Sequence, residues 1–346
     1  MKRKERTPLE LREMGELLFI EKLKREAPEN PPQVVKGIGD DAAVLKGEGG
    51  MLLLATTDMM VEGVHFTLDT ASPEEVGYKA LAANLSDIAA MGGIPQSALI
   101  SLGLSPQQEV EWAQGLYRGL FHCAGEFQVS LVGGDTVSSP LTILNIALLG
   151  EVEEDRCLYR EGANPGDLIL VTGELGGSAA YLDYLLHPSA LSEGSLPPGV
   201  LEHLRRRHFR PIPRVREMRA ATIPGGITSA IDISDGLASE LHHLACSSGK
   251  GMLVEAERLP LSPGVERMAT LYKKDPLEYA LYGGEDYEIL FTCHPQRVSS
   301  VIGAIQKATS TPVTVIGQVL SSGRGVFIKR GEAAEPLKPG GYEHLR

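Results

Sequence analysis

The sequence is poor in cysteine, and its four cysteines, Cys123, Cys157, Cys246 and Cys293, lie far apart with no C-x-x-C pair. A zinc site or a disulfide framework is therefore not expected, and a reducing cytoplasm is the expected compartment. An excess of positive charge is also missing: the net charge is -12 and the pI about 5.3, which argues against a general nucleic-acid binder. An acid excess suits cation binding or plain solubility. There is no long apolar run. ILNIALLG is short and contains Asn145, so no membrane span is expected. The basic stretch MKRKERTPLE is followed by no apolar segment of the kind a secretory signal requires. Several catalytic signatures are absent as well. Without G-x-x-x-x-G-K-[ST] there is no P-loop, and without H-R-D or D-F-G there is no protein-kinase set. Neither G-x-S-x-G nor a Cys-His signature is present to support nucleophilic chemistry.

What is present fits a two-domain globular chain. The 346 residues suggest two domains, and 42% apolar with 23% charged residues is the profile of a protein with a real core. Periodicity predicts a helix over 8–27, opened by Pro8, with Leu11, Met14, Leu18 and Lys22 on one face. MLLLATTD (51–58) reads as a buried strand ending in polar residues. PEEVGYKALAANLSDIAAMGG (73–93) is a strong helix, with proline near its start, two acids in its first turn and glycines at its end. SALISLGL is a strand, PQQEVEWAQGLYRGLFHCAGE a second helix, QVSLVGGD a strand running into a Gly-Asp turn, and LTILNIALLGEV a further strand. A boundary falls between Glu151 and Pro165, giving domains 1–155 and 156–346. Beyond it, DLILVTG, TSAIDISDG, GMLVEAERL, YEILFTC and TPVTVIGQV read as strands. GGSAAYLDYLL reads as a helix, and 187–213 as loops around a short helix. The class is α/β or α+β. No short-period repeat is visible, but each half places acids beside glycines at strand ends.

Those acids carry the functional signal. VVKGIGDDAAVL sets Asp40 and Asp41 side by side, and LLLATTD sets Asp58 after Thr56 and Thr57. NLSD gives Asp87, LVGGD Asp135, AIDISDG Asp232 and Asp235 around Ser234, and YGGEDYE Glu285 and Asp286. G-x-G-x-x-A with Asp58 downstream also fits a dinucleotide fingerprint. There, however, the residues after the second glycine open a helix facing a pyrophosphate, and two aspartates would repel that anion. If metal ions intervene, the same acids attract it. Magnesium takes oxygen ligands and is usually held by carboxylates together with substrate phosphates, while glycines let backbone N–H groups approach phosphate oxygens. Any single Asp after a glycine is as well explained as a turn residue or helix cap. Asp87 is not, since a carboxylate near a helix C-terminus opposes the helix dipole.

Taken in order, GIGDDAAVL, TTDMMVEGVHF, NLSDIAAMGG, LVGGDT, AIDISDGL and GGEDYEILFT, with a closing GYEHL, resemble the thiamine-monophosphate kinase family over about Gly37 to Tyr342. The resemblance implies ATP-dependent phosphorylation of thiamine monophosphate to thiamine diphosphate, the last step in making that cofactor. It implies an N-terminal domain whose sheet dimerises into a barrel-like arrangement, and a C-terminal α/β domain closing the nucleotide cleft of a cytoplasmic homodimer. Several magnesium ions are implied on Asp41, Thr56, Thr57, Asp58, Asp87, Asp135, Asp232 and Asp235, with Asp58, Asp87 and Asp232 central to catalysis. ATP contacts are implied for Tyr117, Gly134, Asp135, Arg160 and Ser234, and thiamine monophosphate contacts for His65, Glu285 and Tyr342. The acceptor is itself a phosphate, ionised near neutral pH, so direct in-line transfer needs no strong general base. The cationic thiazolium ring suits an acid such as Glu285 and an aromatic face such as Tyr342. Two rival readings remain. One is another ATP-dependent synthetase of the wider superfamily that includes aminoimidazole ribonucleotide and selenophosphate synthetases. The other is a non-catalytic nucleotide or metal sensor. Selenophosphate synthesis usually needs a reactive Cys near the N-terminus, and the first here is Cys123.

Overall fold

A computed structural model describes residues 10–190, 196–321, 323 and 325–345. Short helices α1 (Leu11–Met14) and α2 (Glu16–Glu26) lead into strands β1 (Val34–Lys36), β2 (Ala43–Lys46) and β3 (Met51–Val61). Then come α3 (Pro73–Ala90), β4 (Ile94–Leu104), α4 (Val110–Phe127), β5 (Ser130–Ser138) and β6 (Ile143–Glu153). The second half holds β7 (Leu168–Thr172), α5 (Gly177–Leu186), α6 (Val200–Phe209), α7 (Val215–Thr222) and β8 (Ile227–Asp232). It continues with α8 (Leu237–Ser248), β9 (Gly251–Glu255), α9 (Val265–Tyr272) and α10 (Pro276–Tyr282). It ends with β10 (Ile289–Cys293), α11 (Val298–Thr309), β11 (Val313–Val319), β12 (Gly325–Arg330) and β13 (Ala333–Pro336).

Two sheets result. The first is six-stranded in the order β1-β2-β3-β6-β4-β5, and the second seven-stranded in the order β13-β12-β9-β11-β7-β10-β8. Only β4–β5 and β9–β12 pair parallel; the other pairs are antiparallel, so the mixed α/β class is of the α+β kind. Neither sheet closes into a barrel within the chain. Register decides which way each acid of the first sheet points. Asp58, Ile146, Ile100 and Gly134 lie in one row across it, and Met59, Asn145, Ser101 and Asp135 in the next. Successive rows face opposite sides. Ile146 and Ile100 are buried in the core, so Asp58 points to the helix side and Asp135 to the open side.

Helix α3 is the axle of the molecule. Ser72 Oγ accepts from the Glu75 N–H while Glu75 Oε2 accepts from the Ser72 N–H, and Pro73 follows at the first helical position. That reciprocal cap, with a pre-set proline, fixes where the helix starts. Almost every residue from Glu75 to Ala90 is buried, because α3 is covered by sheet, by α4 and by the second half of the chain. Against α4 the packing is backbone on backbone. A Cβ at Gly77 would lie 2.0 Å from the Leu116 carbonyl oxygen, and one at Gly119 would lie 2.0 Å from that of Glu74.

Several local expectations need correction. The helix over 8–27 is interrupted at Gly15, whose φ of 75° and ψ of 163° leave the helical region, and neither α1 nor α2 contains a buried residue. Pro8, its expected start, lies outside the described residues. The strand MLLLATTD continues past Asp58 to Val61 and alternates in burial, so it is half-buried rather than fully buried. The second helix starts at Val110, after a turn in which Gln108 donates to the Ser105 carbonyl. QVSLVGGD does not turn at Gly-Asp; β5 runs through Gly133, Gly134 and Asp135 as an exposed edge strand.

Candidate active site

The acids of four separate segments converge where the helix side of the first sheet meets β8 and its following loop. One carboxylate oxygen each from Asp41, Asp87 and Asp232 lies within 4.8 Å of the others. Asp41 comes from the GIGDD loop before β2, Asp87 from the last turn of α3 and Asp232 from the end of β8. Thr56 donates its hydroxyl to Asp87 Oδ2 at 2.5 Å and also to the Asp41 carbonyl at 3.3 Å. Ser86 donates to Asp232 Oδ2 at 2.7 Å. Asn84, one α3 turn before Asp87, accepts from the Asp58 N–H at 3.1 Å and so ties β3 to the helix.

Such a cluster is electrostatically uncomfortable, and its titration shows it. Burial, the nearby Asp235 and Asp41 push Asp58 up to about 6. Burial pushes Asp41 up to about 7 although Arg160 pulls the other way, and Asp232 and Asp40 add to the rise. Burial takes Asp232 to about 6 against the Ser86 hydrogen bond, and burial with the charge of Glu16 takes Asp235 to about 6. Asp87 is raised well above the usual carboxylate range by burial and by Asp58, Asp232 and Asp41. Among the described residues the one guanidinium in contact with the cluster is that of Arg160, whose Nε and Nη2 both donate to Asp41 Oδ1, at 3.0 and 2.5 Å. Asp41 Oδ2 is buried with no hydrogen-bond partner among the described residues.

At the other end of the cleft, His65, Glu285 and Tyr342 gather. His65 Nδ1 accepts the Val61 N–H at 3.1 Å, and its ring lies 5.0 Å from that of His344, which in turn stands edge-on to Tyr342 at 4.7 Å. The Tyr342 N–H donates to the Asp235 carbonyl at 3.2 Å. The Glu285 N–H donates to the Ser234 carbonyl at 2.7 Å. Ser234 and Asp235 are held from beneath by Glu240, which accepts both their N–H groups at 3.2 and 2.8 Å.

The remaining expected residues lie apart. Thr57 and Asp135 are on the open face of the first sheet, where Thr57 donates to Asn145 Oδ1 at 3.1 Å. Gly134 sits against β4 so closely that a Cβ would fall 1.7 Å from the Ile100 carbonyl oxygen. Tyr117 is in α4, its ring 5.9 Å from that of Phe121 and packed against the core. Asp286 faces away from the acids: it accepts the Gly176 N–H at 2.7 Å. Sequence reasoning misses Lys79, Ser86, His208 and Glu240. Lys79 carries a readable signal: Lys79, Ala83 and Asp87 follow at i, i+4 and i+8 on one face of α3.

Comparison with known proteins bears on this arrangement. Residues 39–152 match the family described as AIR synthase related protein, N-terminal domain, and 164–330 the corresponding C-terminal domain. The chain is 36% identical over 312 residues to the thiamine-monophosphate kinase of Bacillus subtilis, covering 90% of this chain and 93% of that one. It is 36% identical over 337 residues to the thiamine-monophosphate kinase of Aquifex aeolicus, covering 97% and 100%. A solved structure described as AaThiL complexed with AMPPCP and TMP superposes with a TM-score of 0.83 at 35% identity, over 98% of this chain and all of that one.

Proposed function

The chain belongs to the thiamine-monophosphate kinase family, and we propose that its buried acids hold the magnesium ions with which it serves that family's reaction. It is an enzyme that phosphorylates thiamine monophosphate at the expense of ATP. The observation that carries the metal reading is the convergence of Asp41, Asp87 and Asp232 within 4.8 Å from both halves of the chain. The donor set fits magnesium: it is all oxygen, burial and the neighbouring acids raise Asp41 and Asp87 above the usual carboxylate range, and Asp41 Oδ2 is buried with no hydrogen-bond partner among the described residues. Asp41, Asp58, Asp87, Asp232 and Asp235, with Thr56, would hold the ions. Bound there, magnesium supplies neutralisation of phosphate charge, the main requirement of phosphoryl transfer.

The chain's own residues do the rest. Asn84 and Ser86, both on α3, fix the Asp58 backbone and the Asp232 carboxylate against that helix. Glu240 accepts the N–H groups of Ser234 and Asp235 and so holds that turn in one conformation beside the acids. Arg160, whose guanidinium donates to Asp41, would also contact a phosphate of the nucleotide. His65 is occupied by the Val61 N–H and burial lowers its pKa, so it acts as a neutral contact rather than as a base. No base is required, because the acceptor phosphate is ionised near neutral pH. Glu285 and Tyr342 face the cationic ring of thiamine monophosphate. For Tyr117, Thr57, Gly134 and Asp135 the proposed nucleotide and metal roles rest on family membership alone.

The open face of the first sheet exposes Met59, Leu99 and Val137, the last on the edge strand β5, which supports a homodimer joined through this sheet; a cytoplasmic location and a division into domains near 155 complete the proposal. Purified protein with ATP, magnesium and thiamine monophosphate should yield thiamine diphosphate and ADP. Full turnover in excess chelator would sink the metal reading, and a species of 37.2 kDa alone in sedimentation would sink the dimer.

A further inference from the structure

Lys79 is among the largest fully buried side chains of the protein, and it is a lysine. Its Nζ lies 2.7 Å from Glu285 Oε1 and makes no directed hydrogen bond among the described residues. A buried ammonium is costly unless it is paired. Here the partner is a carboxylate carried by the other half of the chain, on a residue whose backbone is left-handed with φ of 65°. The second oxygen of Glu285 lies 3.5 Å from His208 Nδ1. That imidazole is buried and shares its Nδ1 with the Ser178 hydroxyl at 2.8 Å. Glu285 is thus gripped at one oxygen from α3 and faced at the other from α6, in a backbone conformation that a glutamate rarely adopts without such support.

We infer that Lys79 is a positioning residue for thiamine monophosphate: it fixes the Glu285 carboxylate across the cleft so that the carboxylate meets the cationic ring in one orientation. The inference rests on the proposed contact between Glu285 and that ring. Lys79 does not touch the nucleotide end of the site. It stands two α3 turns from Asp87, about 12 Å along the axis, with the small Ala83 between them. Its loss therefore acts on one substrate and spares the other, which a merely structural lysine would not do.

Steady-state kinetics separates these cases. Glu285→Gln and Lys79→Met should each raise KM for thiamine monophosphate by about tenfold, the scale on which removal of a supporting partner acts, with KM for ATP and kcat within about threefold. Lys79→Arg, which keeps the charge, should recover most of the loss. The double variant Lys79→Met/Glu285→Gln, which leaves no unpaired buried charge, should be no worse than Glu285→Gln alone. A further rise of KM in the double variant means that Lys79 acts independently of Glu285, and overturns the inference. So does a folded Lys79→Met with wild-type KM, or one that harms both substrates equally. If Lys79→Met does not fold, the comparison of the double variant with Glu285→Gln decides alone. An unchanged KM in folded Glu285→Gln overturns the substrate reading of Glu285 and the inference with it. A raised KM there with a wild-type KM in Lys79→Met leaves that reading standing and removes only the role of Lys79.

Discussion

Two buried groups of carboxylates, one around Asp87 and one around Glu288, show opposite electrostatic design. Glu288 accepts from Arg214 at both oxygens at 2.6 Å, from Arg207 at 2.9 Å and from Thr172 at 2.7 Å. Burial works to raise its pKa, but Arg214 and Arg207 outweigh burial and it falls below the usual value. Around Asp87 the acids face mainly one another, with Arg160 on Asp41 as the one guanidinium in contact among the described residues, and burial prevails. The first group is complete within the chain. On the metal reading proposed above, the second would be completed by cations from outside. A buried acid that the protein has compensated serves the architecture, and converging buried acids left uncompensated point to a binding site.

The comparison is broken most severely at the compensated group. Glu288→Ala removes the acid shared by buried Arg214 and partly buried Arg207, and breaking a buried pair typically costs about 3–5 kcal/mol. Thermal melting should fall by on the order of 5–10 °C, with or without magnesium. A melting point within a degree of wild type would show that Glu288 is dispensable to the fold. Asp87→Asn should do the reverse. Removing one charge from a repelling cluster leaves metal-free melting unchanged or raised, while turnover drops by about a hundredfold or more, or about 2.7 kcal/mol in the barrier. Near-normal turnover in a folded variant would weaken the whole metal reading.

Smaller, but diagnostic in sign, is the pH dependence without metal. Asp41, Asp58, Asp232 and Asp235 titrate at about 6 to 7 in the fold, against about 3.9 in an unfolded chain. The folded chain binds more protons across that interval. Its stability from these groups is full below about pH 4 and is lost as pH rises through 6 to 7. Melting in chelator should therefore decline from pH 5 to 8, and saturating magnesium should abolish the decline. A flat or rising profile in chelator contradicts the cluster's electrostatics. The smallest effect belongs at the margin, where exposed Glu161 lies 3.1 Å from Lys36. Such a solvated pair is worth at most about 1 kcal/mol, so Glu161→Gln should shift melting by no more than about 2–4 °C and leave turnover nearly intact. A larger loss would move Glu161 into the working site.

The same contrast explains what can be read from the sequence. Asp41, Asp58, Asp87 and Asp232 are legible because each stands in a short string beside glycine, threonine or an apolar strand, and such local context survives in one dimension. The partners that set Glu285 are not legible in that way. Lys79 and His208 precede it by many residues, and nothing near either announces a carboxylate. Among strands, half-buried β3 reads as fully buried because MLLL presents apolar residues to both faces, while its alternation is a property of the folded sheet. The β5 edge is hidden by Gly133 and Gly134, which signal a turn in isolation but here admit close approach to β4. Strands β1, β2, β12 and β13 escape a sequence reading because they lie toward the edges of their sheets, where partial exposure leaves no continuous apolar run to mark them.

The glycine notch between α3 and α4 has a mechanical consequence. With the Leu116 and Glu74 carbonyls seated where side chains would otherwise stand, α3 can neither slide along α4 nor roll against it without main-chain collision. Asn84 bolts the same helix to β3 at Asp58. Asp87 and Asp58 are thereby denied the easy relief of drifting apart when both ionise. Their repulsion is held in a stiff frame, like a compressed spring in a rigid housing, and a cation at the proposed site would release it.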